Sequence, residues 1–184
     1  MGRPLRADAE RSVRAILEAA ERVLAENPAA SMEQIAEASG VARTTVHRRF
    51  ASRKALIDTL AASAVERLAQ AVEDSRPDTA PPLVVLHRAT VNVLQVKSAF
   101  GFALGQPVEP GGAVAEAWEG ITTRCLELLA AAREEGLLDP TVDLDWARRV
   151  YYALISEALH GPEGDPDALA TKVVNTLLHG LGPR

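Results

Sequence analysis

The sequence predicts an all-α protein in which a small N-terminal group of helices continues into a larger C-terminal helical bundle. Apolar residues recur at helical spacing, i, i+3 and i+4, along most of the 184 residues. Proline and glycine separate the helical segments, most clearly at Arg76-Pro77, at Pro81-Pro82 and over residues 105–112. Two short helical segments on either side of Gly40 lie among the longer ones. These observations favour helices packed on helices.

The first helix is predicted from about Asp8 to Glu26. Its apolar residues follow i, i+3, i+4 spacing and form one stripe: Val13, Ile16, Leu17, Ala20 and Leu24. Asn27-Pro28 ends the helix. The stripe has to pack on the segment that follows, which completes a three-helix head.

Residues 31–50 are predicted to form two short helices joined by a tight turn. Ser31 followed by Gln34 starts a capping box, and Gly40 can leave a helix with positive φ. Ala42 offers no side-chain cap to the second helix, so that water or a DNA phosphate is left to satisfy its first amides. Apolar contacts between the helices come from Ile35, Ala36, Val41, Val46 and Phe50. This layout is that of a helix-turn-helix, whose second helix enters the DNA major groove.

The charge distribution supports a DNA-facing role for the second short helix. Residues 1–55 contain ten basic and seven acidic residues, net +3, whereas residues 56–184 contain ten and 18, net −8. Five basic residues and no acidic residue lie between Ala42 and Lys54. A positive region in an otherwise acidic chain indicates a phosphate-facing surface. A solvated charged face is the alternative.

Eight residues of this region are candidate DNA contacts. Base edges or adjacent phosphates are the expected targets of Thr44, Thr45, His47 and Arg48. Backbone phosphates, which position the head without reading the sequence, are the expected targets of Arg49, Arg53 and Lys54. Arg43 completes the set.

A longer fourth helix is predicted from about Arg53 to Glu73, with Ser52 as its cap. Its apolar side is formed by Leu56, Ile57, Leu60, Ala64 and Leu68. We therefore predict a helix-turn-helix DNA-binding domain over residues 1–52 and a helical ligand-binding and dimerisation domain over residues 53–184.

The predicted body contains four further helical segments. The run from Leu83 to Leu104 is apolar nearly all round, which predicts a central helix that is buried on several sides. A stripe from Val114 to Ala132 predicts the next helix, and Asp139-Pro140 starts a final pair. Both helices of the pair carry apolar residues on more than one face, as expected if one face contacts the body and another contacts a second subunit.

Residues 12–57 resemble the DNA-binding region of the TetR family, the tetracycline-repressor-like one-component regulators of bacteria. The resemblance is carried by the apolar first helix from Val13 to Ala20 and by the segments Met32-Glu33-Gln34-Ile35-Ala36, Gly40-Val41, Thr45-Val46 and Phe50-Ala51-Ser52-Arg53-Lys54-Ala55-Leu56-Ile57. His47 stands where the family usually has Tyr, Arg49 where it has Tyr or His, and Arg53 where it has Lys. All three can donate to phosphate, but they prevent base preference from being taken from relatives.

The resemblance implies both a fold and a mode of action. The implied fold is all-α, with an N-terminal three-helix helix-turn-helix head continuous with a C-terminal helical ligand-binding and dimerisation bundle. The implied function is that of a DNA-binding transcriptional regulator, by family default a repressor. It would form a homodimer through its last two helices and bind a palindromic operator in this form. A small-molecule effector would release it from the operator.

The effector pocket is expected among the central helices of the body. Nine residues are candidates for its wall: His87, Thr90, Val91, Phe100, Phe102, Trp118, Ile121, Thr122 and Tyr151. For each of them, ordinary core packing is the competing interpretation. Because most candidates are apolar or aromatic, we expect an uncharged or weakly polar effector rather than a phosphorylated metabolite.

Composition and motifs argue against several other classes of protein. No apolar leader follows Met1 and no uninterrupted apolar run could span a membrane, so we expect a cytoplasmic protein. The single cysteine, Cys125, lies in an apolar stripe and is expected to be a buried structural thiol. There is no P-loop, dinucleotide fingerprint or His/Cys cluster, so we expect no enzyme, no cofactor and no metal site. A helical small-molecule-binding or interaction protein without specific DNA binding remains the alternative.

Overall fold

The computed structural model describes residues 3–75, 80–160 and 164–182, and the side chains of these ranges from residue 8 onward, except that of Leu181. The predicted punctuation at Arg76-Pro77 lies outside the described residues. Within the described ranges the chain forms helices and no strand, which confirms the all-α prediction, and none of these helices is long and apolar enough to cross a membrane. The helices are α1 (Arg3–Glu26), α2 (Met32–Ser39), α3 (Arg43–Arg49), α4 (Arg53–Glu73), α5 (Pro82–Ala99), α6 (Gly101–Leu104), α7 (Ala113–Glu134), α8 (Leu144–His160) and α9 (Pro166–Leu181).

The chain divides into two compact units. The first unit comprises Met1–Ala64 and Phe100–Pro107, and the second comprises Val65–Ala99 and Val108–Arg184. α4 is therefore divided between the units, with its residues up to Ala64 in the first and those from Val65 in the second. The predicted functional boundary after residue 52 stays a prediction, because compactness does not define which residues bind DNA.

One apolar core holds the first unit together. Its large, fully buried side chains come from α1 to α4: Ile16, Leu24, Ile35, Val46, Leu56 and Leu60. Burial of a side chain of this size contributes about 1.5–3 kcal/mol relative to leaving it exposed. The short helix α6 supplies buried Ala103 to the same core, and around it pack Phe100, Phe102 and Leu104.

A buried carboxylate ties α6 to α1 within the first unit. Glu21 is only 6% exposed, and its two carboxylate oxygens accept hydrogen bonds from the backbone amides of Phe102 (2.8 Å) and Ala103 (3.1 Å). Burial raises the pKa of Glu21, while the two hydrogen bonds act in the opposite direction. α6 has only four residues, too few to be stable by itself. Its position therefore depends on Glu21 and on the apolar contacts.

The core of the second unit is built from α5, α7, α8 and α9. Its large, fully buried side chains are Leu86, Leu94, Leu129, Leu138 and Leu177. α5 packs on each of the three other helices, as expected for the central helix of the body. One of its polar side chains, Asn92, is satisfied by donating from Nδ2 to the carbonyl of Ala71 (3.1 Å) and the hydroxyl of Ser75 (2.9 Å).

Three predicted helix ends were wrong. α1 begins at Arg3, several residues before Asp8. The helix predicted over Leu83–Leu104 stops at Ala99, because Phe100 leaves the helical conformation (φ −131°, ψ 36°) and packs against the core of the first unit.

α8 begins at Leu144 rather than at Asp139-Pro140, so its predicted start was also wrong. The carboxylate of Asp139 accepts a hydrogen bond from the amide of Thr141 (2.8 Å) and holds a turn there. Asp143 then accepts from the amide of Trp146 (2.8 Å) in the manner of an N-terminal cap. The predicted start was therefore a turn that precedes the helix.

Replacement of Glu21 by Ala should lower the free energy of unfolding by about 1–3 kcal/mol, because one buried and one partly buried amide of α6 lose their acceptor. The matched control is Glu18→Ala on the same helix, where the side chain is exposed and the expected change is within about 0.5 kcal/mol. Urea unfolding monitored by circular dichroism measures both. Equal stability of the two variants would contradict the structural role given to Glu21.

Candidate functional site

The helix-turn-helix is fixed by signals local to the chain. The Ser31 hydroxyl accepts from the amide of Gln34 (3.3 Å), and the Gln34 side chain accepts from the amide of Ser31 (2.8 Å), which confirms the predicted capping box. Gly40 ends α2 with a φ of 67°, a conformation that favours glycine. The turn between α2 and α3 is thereby set by interactions between residues that are close in the sequence.

α3 is held by two apolar side chains. Val46 is fully buried, and Phe50 is 5% exposed where the helix ends. Ala42 makes no side-chain hydrogen bond at the start of the helix, as predicted. With one face of α3 fixed in the core, the opposite face is presented to solvent.

The predicted DNA contacts on α3 are grouped on this solvent-facing side. Thr45 is half-buried, and the exposed members of the set are Arg43, Thr44, His47, Arg48 and Arg49. Among the described residues, none forms an ion pair or a side-chain hydrogen bond with Arg48 or Arg49. The guanidinium groups of these two residues can therefore donate to phosphates or bases without breaking an internal contact.

His47 differs from these arginines because it faces an acidic side chain. Its Nε2 lies 3.7 Å from Oε1 of Glu33 on α2, and both side chains are about half exposed. The pKa of Glu33 is lowered, first by a hydrogen bond from its own backbone amide and then by the Ser31 hydroxyl, with smaller attractions from His47 and Arg43. An exposed pair of this kind adds little to stability.

Arg53 and Lys54 begin α4 and already have partners within the protein. The Arg53 guanidinium donates from Nε to the carbonyl of Ala30 (3.0 Å) and from a terminal nitrogen to the carbonyl of Pro28. Lys54 forms an ion pair with Asp58 (2.9 Å) one turn further along the helix. Phosphate binding by these residues stays a prediction, and Arg53 has an additional role in fastening the α1–α2 turn to α4.

The second unit contains a cavity of about 80 Å³. It is walled by α4, α5, α7 and α8 and lined by Leu68, Val72, Val85, Ala89, Val93, Lys97, Trp118, Ile121, Arg124, Cys125, Leu128, Tyr151, Tyr152 and Ile155. Most of these side chains are apolar, which is typical of small-molecule sites. The cavity is the candidate effector site.

The nine predicted pocket residues are dispersed by the fold. Trp118, Ile121 and Tyr151 line the cavity. Thr90 and Thr122 do not line the cavity but interact with residues that do: Thr90 hydrogen-bonds to Tyr151, and burial raises the pKa of Tyr152 while a hydrogen bond with Thr122 acts to lower it. Four others lie elsewhere: a separate groove on α5 and α9 contains His87 and Val91, and the core of the first unit holds Phe100 and Phe102. Their roles in ligand binding stay predictions.

Several polar groups in the cavity wall are already satisfied or neutral. The hydroxyls of Tyr151 and Thr90 are hydrogen-bonded at 2.8 Å in a fully buried environment, where burial raises the pKa of Tyr151. Burial also raises the pKa of the Cys125 thiol to about 11, which keeps it protonated and weakly nucleophilic at neutral pH, in agreement with a structural thiol.

Two basic residues of the cavity wall, Lys97 and Arg124, were missed by the sequence analysis. The overlooked signal was a lysine inside the nearly continuous apolar run of residues 83–104. A cation at such a position is either exposed at the end of a helix or aimed at a partner. The choice between the two depended on packing against α7, which the sequence did not reveal.

Comparisons with known proteins find similarity to bacterial transcriptional regulators. Residues 16–60 match the family model described as bacterial regulatory proteins, tetR family. The HTH-type transcriptional repressor LfrR of Mycolicibacterium smegmatis is 31% identical over 176 residues, which cover 92% of each chain. The crystal structure of LfrR from Mycobacterium smegmatis in complex with proflavine aligns with a TM-score of 0.71 at 26% identity, over 95% of this chain and 99% of that one. NalD, the secondary repressor of the MexAB-OprM multidrug efflux pump in Pseudomonas aeruginosa, aligns with a TM-score of 0.61 at 27% identity, over 95% and 98%.

Replacement of Arg53 by Ala should lower the free energy of unfolding by about 1–3 kcal/mol, because the carbonyls of Ala30 and Pro28 lose a charged donor. Arg49→Ala removes an equal charge from an exposed position without an internal partner and should leave stability within about 0.5 kcal/mol of the parent. Thermal and urea unfolding of the variants without DNA provide the measurement. An Arg53 variant as stable as the Arg49 variant would show that the two hydrogen bonds do not support the fold.

Proposed function

The chain belongs to the tetR family of bacterial regulatory proteins, and on this premise we propose that it is a transcriptional repressor. The proposed repressor binds a palindromic operator as a homodimer and leaves it when a small-molecule effector binds. The observation that carries the proposal is the solvent-facing side of α3. There Arg48 and Arg49 are exposed and unpaired among the described residues, while Val46 and Phe50 on the opposite side are buried.

In the proposed complex α3 lies in the major groove. Arg48 has the planar donor fork that matches the O6 and N7 acceptors of guanine, and Thr44 and His47 share its exposed face. Arg49 and Lys54 hold phosphates and set the register of the head. A single helix of seven residues reaches only a few base pairs. A dimer that reads two half-sites about 34 Å apart supplies the remaining affinity.

The effector is proposed to bind in the cavity of the second unit and to have a largely apolar body. The cavity volume, about 80 Å³, is smaller than the roughly 300–1,000 Å³ of pockets that hold drug-sized ligands. Binding therefore requires the helices that line the cavity to move apart. A ligand that binds only the widened conformation shifts the population toward it, which is the thermodynamic requirement for release from DNA.

Homodimerisation is proposed to use α8 and α9. A shallow groove between these helices is lined on the protein surface by Leu154, Glu157, Ala158, Leu169, Lys172, Val173 and Thr176. Apolar side chains at such positions favour contact with a second copy over exposure to water. An isologous contact of two α8–α9 pairs would also give the two-fold symmetry that a palindrome requires.

DNA selected from a random pool should bind the wild-type protein in a sequence-specific and salt-sensitive manner in gel-shift assays. Arg48→Ala should lose about 1–3 kcal/mol of discrimination at one base position. Arg49→Ala should weaken binding to all DNA sequences, and the slope of log K against log salt concentration should fall in magnitude by about one. Arg88→Ala, an exposed arginine on α5, is the control and should behave as wild type. Failure of the wild-type protein to select any sequence would favour the alternative, a helical ligand-binding protein without specific DNA binding.

The dimer is tested by Leu154→Arg, which places a charge in the groove between α8 and α9. The variant should sediment as a monomer and lose most of its affinity for the palindrome, because burial of an unpaired charge in an interface is strongly unfavourable. Thr123→Arg adds the same side chain at an exposed position on α7 and should remain dimeric. Circular dichroism establishes that both variants are folded. A dimeric Leu154 variant would exclude this face as the interface.

A further inference from the structure

The cavity of the second unit has an unbalanced set of polar groups. Its mostly apolar lining includes five residues whose side chains carry a polar or charged group: Lys97, Arg124, Trp118, Tyr151 and Tyr152. None of the described residues that line the cavity is Asp or Glu. The polar character of the wall is therefore positive or neutral, and it consists mainly of hydrogen-bond donors.

Arg124 and Tyr151 have partners within the protein. The Arg124 guanidinium donates to Glu73 (2.8 Å) and to Glu127 (3.0 Å), and both carboxylates help to raise its pKa. The Tyr151 hydroxyl is hydrogen-bonded to Thr90 at 2.8 Å. Neither side chain needs a ligand to complete its hydrogen bonds or to balance its charge.

Two other side chains of the wall have no such partner. Nε1 of Trp118 is buried and makes no hydrogen bond to any described residue. An indole N–H can only donate. Lys97 is half-buried, and no carboxylate of the described residues lies within ion-pair distance of its ammonium group. Burial lowers the pKa of Lys97, as expected for a cation that has lost water without gaining an acidic neighbour.

We infer that the cavity accepts an effector with an apolar body and one anionic acceptor group, a carboxylate in the simplest case, which pairs with Lys97 and accepts from Trp118. This inference rests on the proposed function, since it names the ligand class of the proposed effector site. It differs from the uncharged or weakly polar ligand expected from the sequence, because the inferred ligand carries a negative charge. The difference arises because Lys97 was not among the predicted pocket residues.

The same wall disfavours a cationic ligand. A positive charge in the cavity would face Lys97 and find no carboxylate in the lining, and this repulsion is strong where water is excluded. The solved LfrR structure contains proflavine, a planar dye that is protonated at neutral pH. Ligand charge is therefore a property on which this chain is expected to differ from that relative.

Three ten-carbon probes that differ only in their polar end test the inference: decanoate, decanol and decylammonium. Their binding to the full chain is measured by isothermal titration calorimetry, with proflavine as a fourth probe. Lys97→Met removes the charge but keeps an unbranched side chain of similar length. Arg88→Met is the matched control, because Arg88 lies on the same helix, is exposed and does not line the cavity. Thermal unfolding of both variants verifies that each is folded.

Wild type should bind decanoate more tightly than decanol, and decylammonium and proflavine most weakly. Lys97→Met should bind decanoate about 10- to 100-fold more weakly, the loss typical of a charge-assisted hydrogen bond. In that variant decanoate should lose its advantage over decanol, whereas Arg88→Met should retain the wild-type order. The inference is overturned if Lys97→Met binds decanoate as wild type does, if wild type prefers decylammonium, or if wild type binds none of the probes.

Gel shifts with selected DNA separate failure of this inference from failure of the proposed function. Specific DNA binding without decanoate binding would support the proposed repressor function and refute only the inferred ligand class. Decanoate binding that depends on Lys97, in a protein without specific DNA binding, would support the inferred ligand class and refute the proposed repressor function. Release of DNA by decanoate from wild type but not from Lys97→Met would support both.

Discussion

A helix of seven residues is too short to be stable in water, and the first unit is built around this constraint. α3 has no capping side chain at its start, so that its stability depends on packing by Val46 and Phe50. The core that receives these two side chains needs α1, α2 and the start of α4 in a fixed arrangement. The capping box, Gly40 and the Arg53 hydrogen bonds provide that arrangement. The basic face of α3 can remain free of internal partners because all the stabilising contacts lie behind it or beside it.

α6 and Glu21 hold the segment with which the chain re-enters the first unit after α5. Lys97 lies three residues before Phe100, where α5 ends and the chain enters the first unit. Phe102 and Ala103 then donate to Glu21 of α1, which belongs to the same core as α3. A carboxylate such as that of Glu21, which meets two amides in a buried site, fixes the position of α6 more narrowly than apolar contact would. The start of α6 is therefore held within the first unit by a directional interaction as well as by apolar packing.

Local signals in the sequence were sufficient to predict the helix-turn-helix, whereas the contacts of individual side chains were not. Ser31, Gln34 and Gly40 act within a few residues of each other, and the bounds of α2 follow from them. Phe100 is apolar in either core, so only the folded chain reveals that it leaves α5 for the first unit. Arg53 was expected to face phosphate, but its acceptors at Ala30 and Pro28 are more than twenty residues away in the sequence. Lys97 likewise could not be assigned to the cavity without the packing of α5 against α7.

The small cavity and its unpaired donors together limit what an effector can achieve. Widening of the cavity costs free energy, because packed apolar side chains must separate, and a ligand's apparent affinity is reduced by the fraction of molecules that are open. Apolar contact alone offsets part of this cost without selecting one ligand over another. Pairing of Lys97 with an anion adds an interaction that exists only when the ligand is bound. It also relieves the unfavourable burial of an isolated cation in the free protein. The charge on Lys97 thus makes the opened conformation specific for one class of ligand, which a purely apolar cavity of this size could not do.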